Sequence, residues 1–232
     1  MLKISETLNR WCWRAKVAAA FVLVVAAVAC SLFKGKGDAE AGLITVGAIF
    51  PLSNDFVVTG SEAVTWGIHS SFGVLVAKET INKGKGILGK KLDLIILDGQ
   101  GNPKIALQRY EEHKNSGVAA IIGPPIGPIA TMMSEKAKDD GMLFLMQQSS
   151  TQQMSAARRE YYKGHAAMKE LTRIYYVNFG YEPPAAASAA CECVLVLADA
   201  IEIAGGTNKK DVMSAMDEIN QKILSNSESF KG

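Results

Sequence analysis

Proline is scarce in this 232-residue chain, at 7 residues, and aromatic side chains make up only 7%. With so little proline and no low-complexity period, the chain is no linker protein. Its 48% hydrophobic content excludes a disordered one. Histidine (3) and cysteine (4) are few and scattered, which excludes a disulfide scaffold or a zinc site. His69, His113 and His165 belong to no triad-like constellation, and no G-x-S-x-G elbow exists. Neither an enzyme nor a cofactor is therefore expected. A strong charge of one sign is missing too. Lys and Arg number 25 against 23 Asp and Glu, and the basic excess sits at the front. Lys3, Arg10, Arg14 and Lys16 face only Glu6 there, so the rest of the chain is close to neutral. That balance argues against a nucleic-acid binder, which needs a basic patch.

What the front does have is a pattern of address. A basic stretch to Lys16 precedes the apolar run Val17–Ala29 (VAAAFVLVVAAVA), and Cys30 follows. A basic segment, a short apolar run and small residues before a cut make a secretory signal. The run is short for a spanning helix, which needs about 20 residues. Ala27-Val28-Ala29 fits ordinary signal peptidase, and with Cys30 it resembles a bacterial lipobox. An uncleaved anchor is the third alternative. The lipobox reading makes residues 1–29 a signal peptide and Cys30 the lipidated residue. Residues 30–42, rich in Gly and charge, become a flexible tether to the membrane. All three readings place the body outside the cytoplasmic membrane, in the periplasm or cell envelope.

The body alternates apolar strand-like runs with helical periodicity. Leu43–Phe50, Leu92–Leu97, Val118–Ile122 and Met142–Met146 read as strands, with helices at Ser61–Asn82, Pro103–Ser116 and Pro128–Asp139 between them. Strands without polar alternation, separated by helices, predict a parallel sheet covered on both faces. The expected fold is α/β, a doubly wound, Rossmann-like sheet of about four strands over residues 43–154. After it, residues 155–224 read as helices: Arg158–Phe179 as one long helix, then Ala185–Ala204 and Asp211–Leu224. A tail occupies residues 225–232.

Ligands bind such sheets at the carboxyl ends of the strands. Three of these ends carry small or polar residues: Pro51–Asn54 with Thr59-Gly60, Gly123–Pro128, and Gln147–Gln153. Gly123–Pro128 leads into a helix start, where free N–H groups attract a carboxylate. Gly84–Lys91 nearly spells a phosphate-binding loop, but ends in Lys91 instead of Ser or Thr and precedes a strand instead of a helix. Cys191 and Cys193, two apart on a helix, point to different faces and read as buried thiols.

At these residues the chain resembles the substrate-binding lipoproteins of branched-chain amino acid ABC transporters, of the type I periplasmic-binding family. Ile44–Leu52 (ITVGAIFPL) is similar to the opening strand and its exit. Glu79-Thr80-Ile81-Asn82 followed by Gly86-Ile87-Leu88-Gly89-Lys90-Lys91-Leu92 is similar to that family's helix-to-strand passage. Asp98 with Asn102-Pro103 and Ala106 resembles its next turn. Tyr175–Pro184 and the helix to Gly206 resemble a late segment, with Cys191-Glu192-Cys193 where Tyr-Asp-Ala is usual. The segment building the second lobe's sheet is absent, so the resemblance implies one lobe with late helices packed on it.

The resemblance implies a solute-binding protein for an amino acid or amide, serving an ABC transporter permease. Thr59, Gly127, Gln148, Ser149 and Ser150 fall at ligand-contact positions. Good small-molecule sites bury about 70–90% of the ligand. One lobe covers only about half, so weak binding is expected unless a second copy, as a homodimer, supplies the other wall. The alternative is an interaction lipoprotein whose open half-cleft meets a partner, or a remnant.

Overall fold

The computed structural model describes residues 42–53, 60–147 and 152–228. Thr59, Gln148, Ser149, Ser150 and Cys30 lie outside these residues. Four strands, β1 (Leu43–Phe50), β2 (Lys91–Asp98), β3 (Ile121–Ile122) and β4 (Phe144–Leu145), form one parallel sheet in the order β2-β1-β3-β4. Full pairing runs from Leu43 opposite Lys91 to Phe50 opposite Asp98. Three helices make the crossovers: α1 (Gly60–Lys83), α2 (Pro103–Asn115) and α3 (Gly127–Asp139). Four more follow: α4 (Gln152–Tyr162), α5 (Ala166–Phe179), α6 (Ala185–Ala204) and α7 (Lys209–Glu228).

The pleat sorts side chains between two cores. Ile44, Val46, Ala48 and Phe50 of β1 join α1 and the late helices in the larger one. Ile49 and Ile121 point the other way, into a smaller core with Tyr110 of α2 and Ile129 and Met133 of α3. Both faces are thus covered, which is why the strands read as continuous apolar runs. On the second face Gly47 leaves space for a ring: a Cβ there would lie 2.7 Å from His113. His113 is buried, its Nε2 is 3.1 Å from Ala48 O, and burial holds its pKa below the ordinary value. It is a core histidine.

α6 is buried on nearly every side, from Ala187 to Ile201. A helix apolar all round belongs in a core. Small residues let α1 approach it closely at Gly73. Both α5 and α6 end on glycines in the left-handed region, Gly180 (φ 77°) and Gly205 (φ 67°), where a side chain would be strained.

One expectation needs correction. The periodicity from Arg158 to Phe179 is not one helix. Lys163-Gly164 make a turn, and His165 starts a new helix, its Nδ1 accepting from Ala167 N at 3.1 Å. The apolar spacing is continuous across the break because Tyr162 and Met168 face the same core. The cap, not the pattern, decides.

Candidate ligand-binding site

The chain reverses its direction of travel across the sheet between β1 and β3. Crevices outside the carboxyl ends of strands open at such a switch point. β1 exits through Pro51, Leu52 and Ser53, and β3 through Gly123, Pro124 and Pro125 toward α3.

Each exit is tied down by a side chain at the end of a neighbouring strand. Asp98, the last residue of β2, holds the β1 exit. Its Oδ1 accepts from Leu52 N and Gln100 N, both at 2.8 Å, and its Oδ2 accepts from Ser53 Oγ at 2.5 Å. Gln147, just past β4, holds the β3 exit. Its Nε2 donates to Gly123 O at 2.8 Å, and its Oε1 accepts from Ser70 Oγ of α1 at 2.9 Å. Gln147 is only 5% exposed. α1 itself sits hard against β1's exit, since a Cβ on Gly67 would fall 2.0 Å from Pro51 O. Cys193 of α6 donates from Sγ to Met146 O at 3.5 Å, fixing the end of β4.

Of the residues expected to touch ligand, Gly127 is the one described. It is the first residue of α3, half-buried, preceded by the N-cap Ile126. Ile126 provides no side-chain cap, and the first turn holds no acidic residue. α2 is different: Asn102 Oδ1 accepts from Lys104 N at 2.9 Å and Ile105 N at 3.3 Å. The start of α3 therefore presents Gly127 and Ile129 N–H groups with the positive end of the helix behind them. That arrangement suits a carboxylate. From the sequence, Gln148 is expected at the ligand, whereas Gln147 stands only in the polar stretch Gln147–Gln153 and Asp98 only in the family-like turn. Both stand where an apolar run ends, but their anchoring role depends on partners distant in the chain, Leu52 for Asp98 and Ser70 for Gln147.

Asp98→Ala removes three hydrogen bonds at once. Bonds to a charged acceptor are worth about 1.5–3 kcal/mol, and the lost set is partly replaced by water. A loss of about 2 kcal/mol is expected in denaturant unfolding, with faster hydrogen exchange at Leu52 N–H. Unchanged exchange there would remove Asp98 as the anchor of the β1 exit.

The chain matches the family description "Periplasmic binding protein" over residues 43–167. It belongs to the periplasmic binding protein family. Among curated relatives it is 28% identical over 102 residues to the Leu/Ile/Val-binding protein BraC3 of Rhizobium johnstonii, covering 44% of this chain and 26% of that protein. It is 29% identical over 103 residues to a chemotactic signal transduction system substrate-binding protein of Halobacterium salinarum, covering 44% and 24%. The matched stretch thus spans about a quarter of those relatives' length. Among solved structures, a leucine-binding protein from Thermotoga maritima superposes with a TM-score of 0.58 at 13% identity, covering 75% of this chain and 87% of that one. A branched-chain amino acid transporter substrate-binding protein from Streptococcus pneumoniae, solved with isoleucine, gives 0.54 at 12% identity, covering 75% and 87%. At such identities the likeness is one of fold: the sheet and helices are a lobe of the type I periplasmic-binding architecture. Among the described residues no helix is long and apolar enough to cross a membrane, and no group of His, Cys, Asp and Glu could hold a metal ion.

Proposed function

We propose that this periplasmic binding protein is an extracytoplasmic solute-binding protein for amino acids or related small polar solutes, feeding an ABC transporter permease from a site this lobe builds only in part. The observation that carries the reading is the uncapped start of α3 at the sheet's switch point. The ligand's carboxylate would take the Gly127 and Ile129 N–H groups. Thr59, Gln148, Ser149 and Ser150 would complete the shell around its ammonium and side chain. Cys30 would carry the lipid that holds the body at the envelope membrane. The relatives named as binding leucine, isoleucine and valine support these solutes first.

A half-open crevice leaves part of the ligand in water, and each 1.4 kcal/mol of lost contact is about tenfold in Kd. Millimolar affinity is expected. A ligand that binds only the folded state raises its stability, by about 2.7 kcal/mol at a hundred times Kd. A thermal-shift titration of the full chain with leucine, isoleucine, valine and their amides, to tens of millimolar, should therefore give a saturable rise in Tm. No rise with any of them would end the solute-binding reading. A second reading, a homodimer or partner-binding lipoprotein, is favoured by Trp66, 43% exposed on α1 beside Gly67 and the β1 exit. Light scattering on the same sample separates the two, since only the second reading requires a stable dimer or complex without solute.

A further inference from the structure

Residues 83–91 (KGKGILGKK) carry four lysines and no acid. The structure makes this stretch a tight hairpin at the amino edge of the sheet, the end away from the crevice. Ile87 N donates to Lys90 O at 2.8 Å, and Lys90 N to Ile87 O at 2.9 Å. Between them the chain turns through Leu88 (φ 52°) and Gly89 (φ 76°), both in the left-handed region. Asn and Gly suit such a turn, and a leucine is uncommon there. Leu88 is not spent on the core either. It is 42% exposed, while Ile87 beside it is buried.

The lysines surround that tip. Lys83 ends α1, Lys85 and Lys90 flank the hairpin, Lys91 opens β2, and all four are exposed. Little negative charge answers them. Lys85 Nζ lies 3.4 Å from Glu202 Oε1 at the end of α6, an exposed pair of small worth. Lys83 acts on Glu170 of α5, whose carboxylate Arg173 already holds at 2.7 Å. Lys91 Nζ donates to Asn82 O. Among the described residues neither Lys90 nor Lys91 belongs to an ion pair. The same edge is where the body joins the preceding chain. Leu43 lies opposite Lys91 and is 41% exposed, and Gly42 O accepts from Lys91 N at 3.1 Å. Residues 1–41 therefore enter one strand away from the lysines.

We propose that this edge, Leu88 and Leu43 among Lys83, Lys85, Lys90 and Lys91, docks on an anionic phospholipid surface. It rests on the tethered-envelope reading in one respect: the tether brings the edge to a bilayer. Residues 30–42 reach at most about 45 Å, so a body held at Cys30 stays near the headgroups. The rest is chemistry. Each lysine close to an anionic headgroup layer adds attraction, and the contributions accumulate. An exposed leucine at a turn tip enters the interface while its lysines remain with the phosphates. An acidic protein would need a shape matched to this hairpin, whereas a fluid headgroup layer does not. Docking also fixes an orientation. β2 runs from Lys91 at the surface to Asp98 at the crevice, 8 residues or about 26 Å. The crevice then faces away from the bilayer, open to solute, and delivery to a permease follows release from the lipid.

The test is brief amine acetylation of the full chain on vesicles of phosphatidylglycerol and, separately, of phosphatidylcholine. Labelling of Lys83, Lys85 and Lys90 should slow at least fivefold on phosphatidylglycerol alone, and about 0.5 M salt should restore it. Lys104, exposed beyond the carboxyl end of β2, should label at one rate throughout. Lys85→Gln with Lys90→Gln should lower the docked-to-free ratio about thirtyfold, about fivefold for each lysine lost, read on Lys83. Leu88→Asn suits the same turn, so it should melt like the natural chain and still dock several-fold more weakly. No slowing on phosphatidylglycerol would leave the edge to solvent or to an acidic protein and overturn the proposal. Slowing that Lys104 shares, or that is equal on the two lipids, overturns it as well. A chain that stays on both kinds of vesicle with Lys83, Lys85 and Lys90 unprotected keeps its anchor and loses the docking edge. The solute titration is read at the opposite edge, so a Tm rise with leucine stands or falls independently of the lipid result.

Discussion

Gly73→Val is expected to cost the fold roughly 4 kcal/mol or more. α1 and α6 touch through backbone at this point. A Cβ on Gly73 would stand 2.1 Å from Ala187 O and 3.0 Å from Cys191 N. Neither atom belongs to a side chain that can rotate away, so the two helices must separate. That separation opens the larger core along α6, where Ala187, Ala190, Cys191 and Val194 are packed. Overpacking usually costs about 1–3 kcal/mol, but a forced backbone shift with loss of core contact belongs to the exceptional class of roughly 4 kcal/mol or more. A domain of this kind has about 5–15 kcal/mol in total. Gly73→Ala carries an opposing term, because alanine is about 1 kcal/mol better than glycine in a helix. The overlap should still win, leaving a net loss of about 2 kcal/mol. Gly206→Ala is the control, since nothing lies within 4 Å of a Cβ there, and it should melt like the natural chain. Circular dichroism melts of the three variants decide the matter. A stable Gly73→Val would mean that α6 does not pack on α1 as described.

The sheet was legible because parallel strands buried on both faces leave an unbroken apolar run, as in Leu43–Phe50. The third and fourth strands are shorter than their apolar runs suggest, two residues each. Ladder-like bonds continue past them, from Ala119 N to Thr45 O at 2.8 Å and from Gly123 N to Leu145 O at 2.9 Å, so the runs were read correctly in kind. The α4–α5 break was not legible. Apolar residues continue at helical spacing on both sides, and the only local marks are Gly164 and a histidine cap, an uncommon capping residue. The uncapped start of α3 was legible from Gly123–Pro128, since no Ser, Thr, Asp or Asn precedes the helix. Gln147 was not legible as an anchor. Whether a glutamine after a strand turns inward depends on Ser70, 77 residues away. Glu192 was the most concealed. An acid in an Ala-rich helix reads as a solvent-facing residue until both sides of that helix are known to be covered.

Glu192 also sets the pH dependence of folding. Its carboxyl is raised from an unfolded value of 4.5 to about 7. Between those values the folded chain holds a proton that the unfolded chain has released. Stability is therefore full below about pH 4.5 and falls as pH rises toward 7, the reverse of a salt-bridged carboxylate. The loss above pH 7 is about 3 kcal/mol, from 1.36 kcal/mol per pKa unit between 4.5 and about 7. Against burial, the charges of Arg159 and Arg158 draw the carboxyl down, so the loss in the natural chain should be smaller than in Arg158→Gln. Glu192→Gln removes the ionisation altogether. Its stability relative to the natural chain should be near zero at pH 4.5 and favourable at pH 8, by up to about 3 kcal/mol. Urea unfolding at the two pH values measures this directly. A Glu192→Gln advantage that is the same at both would show that Glu192 does not titrate between them in the folded chain.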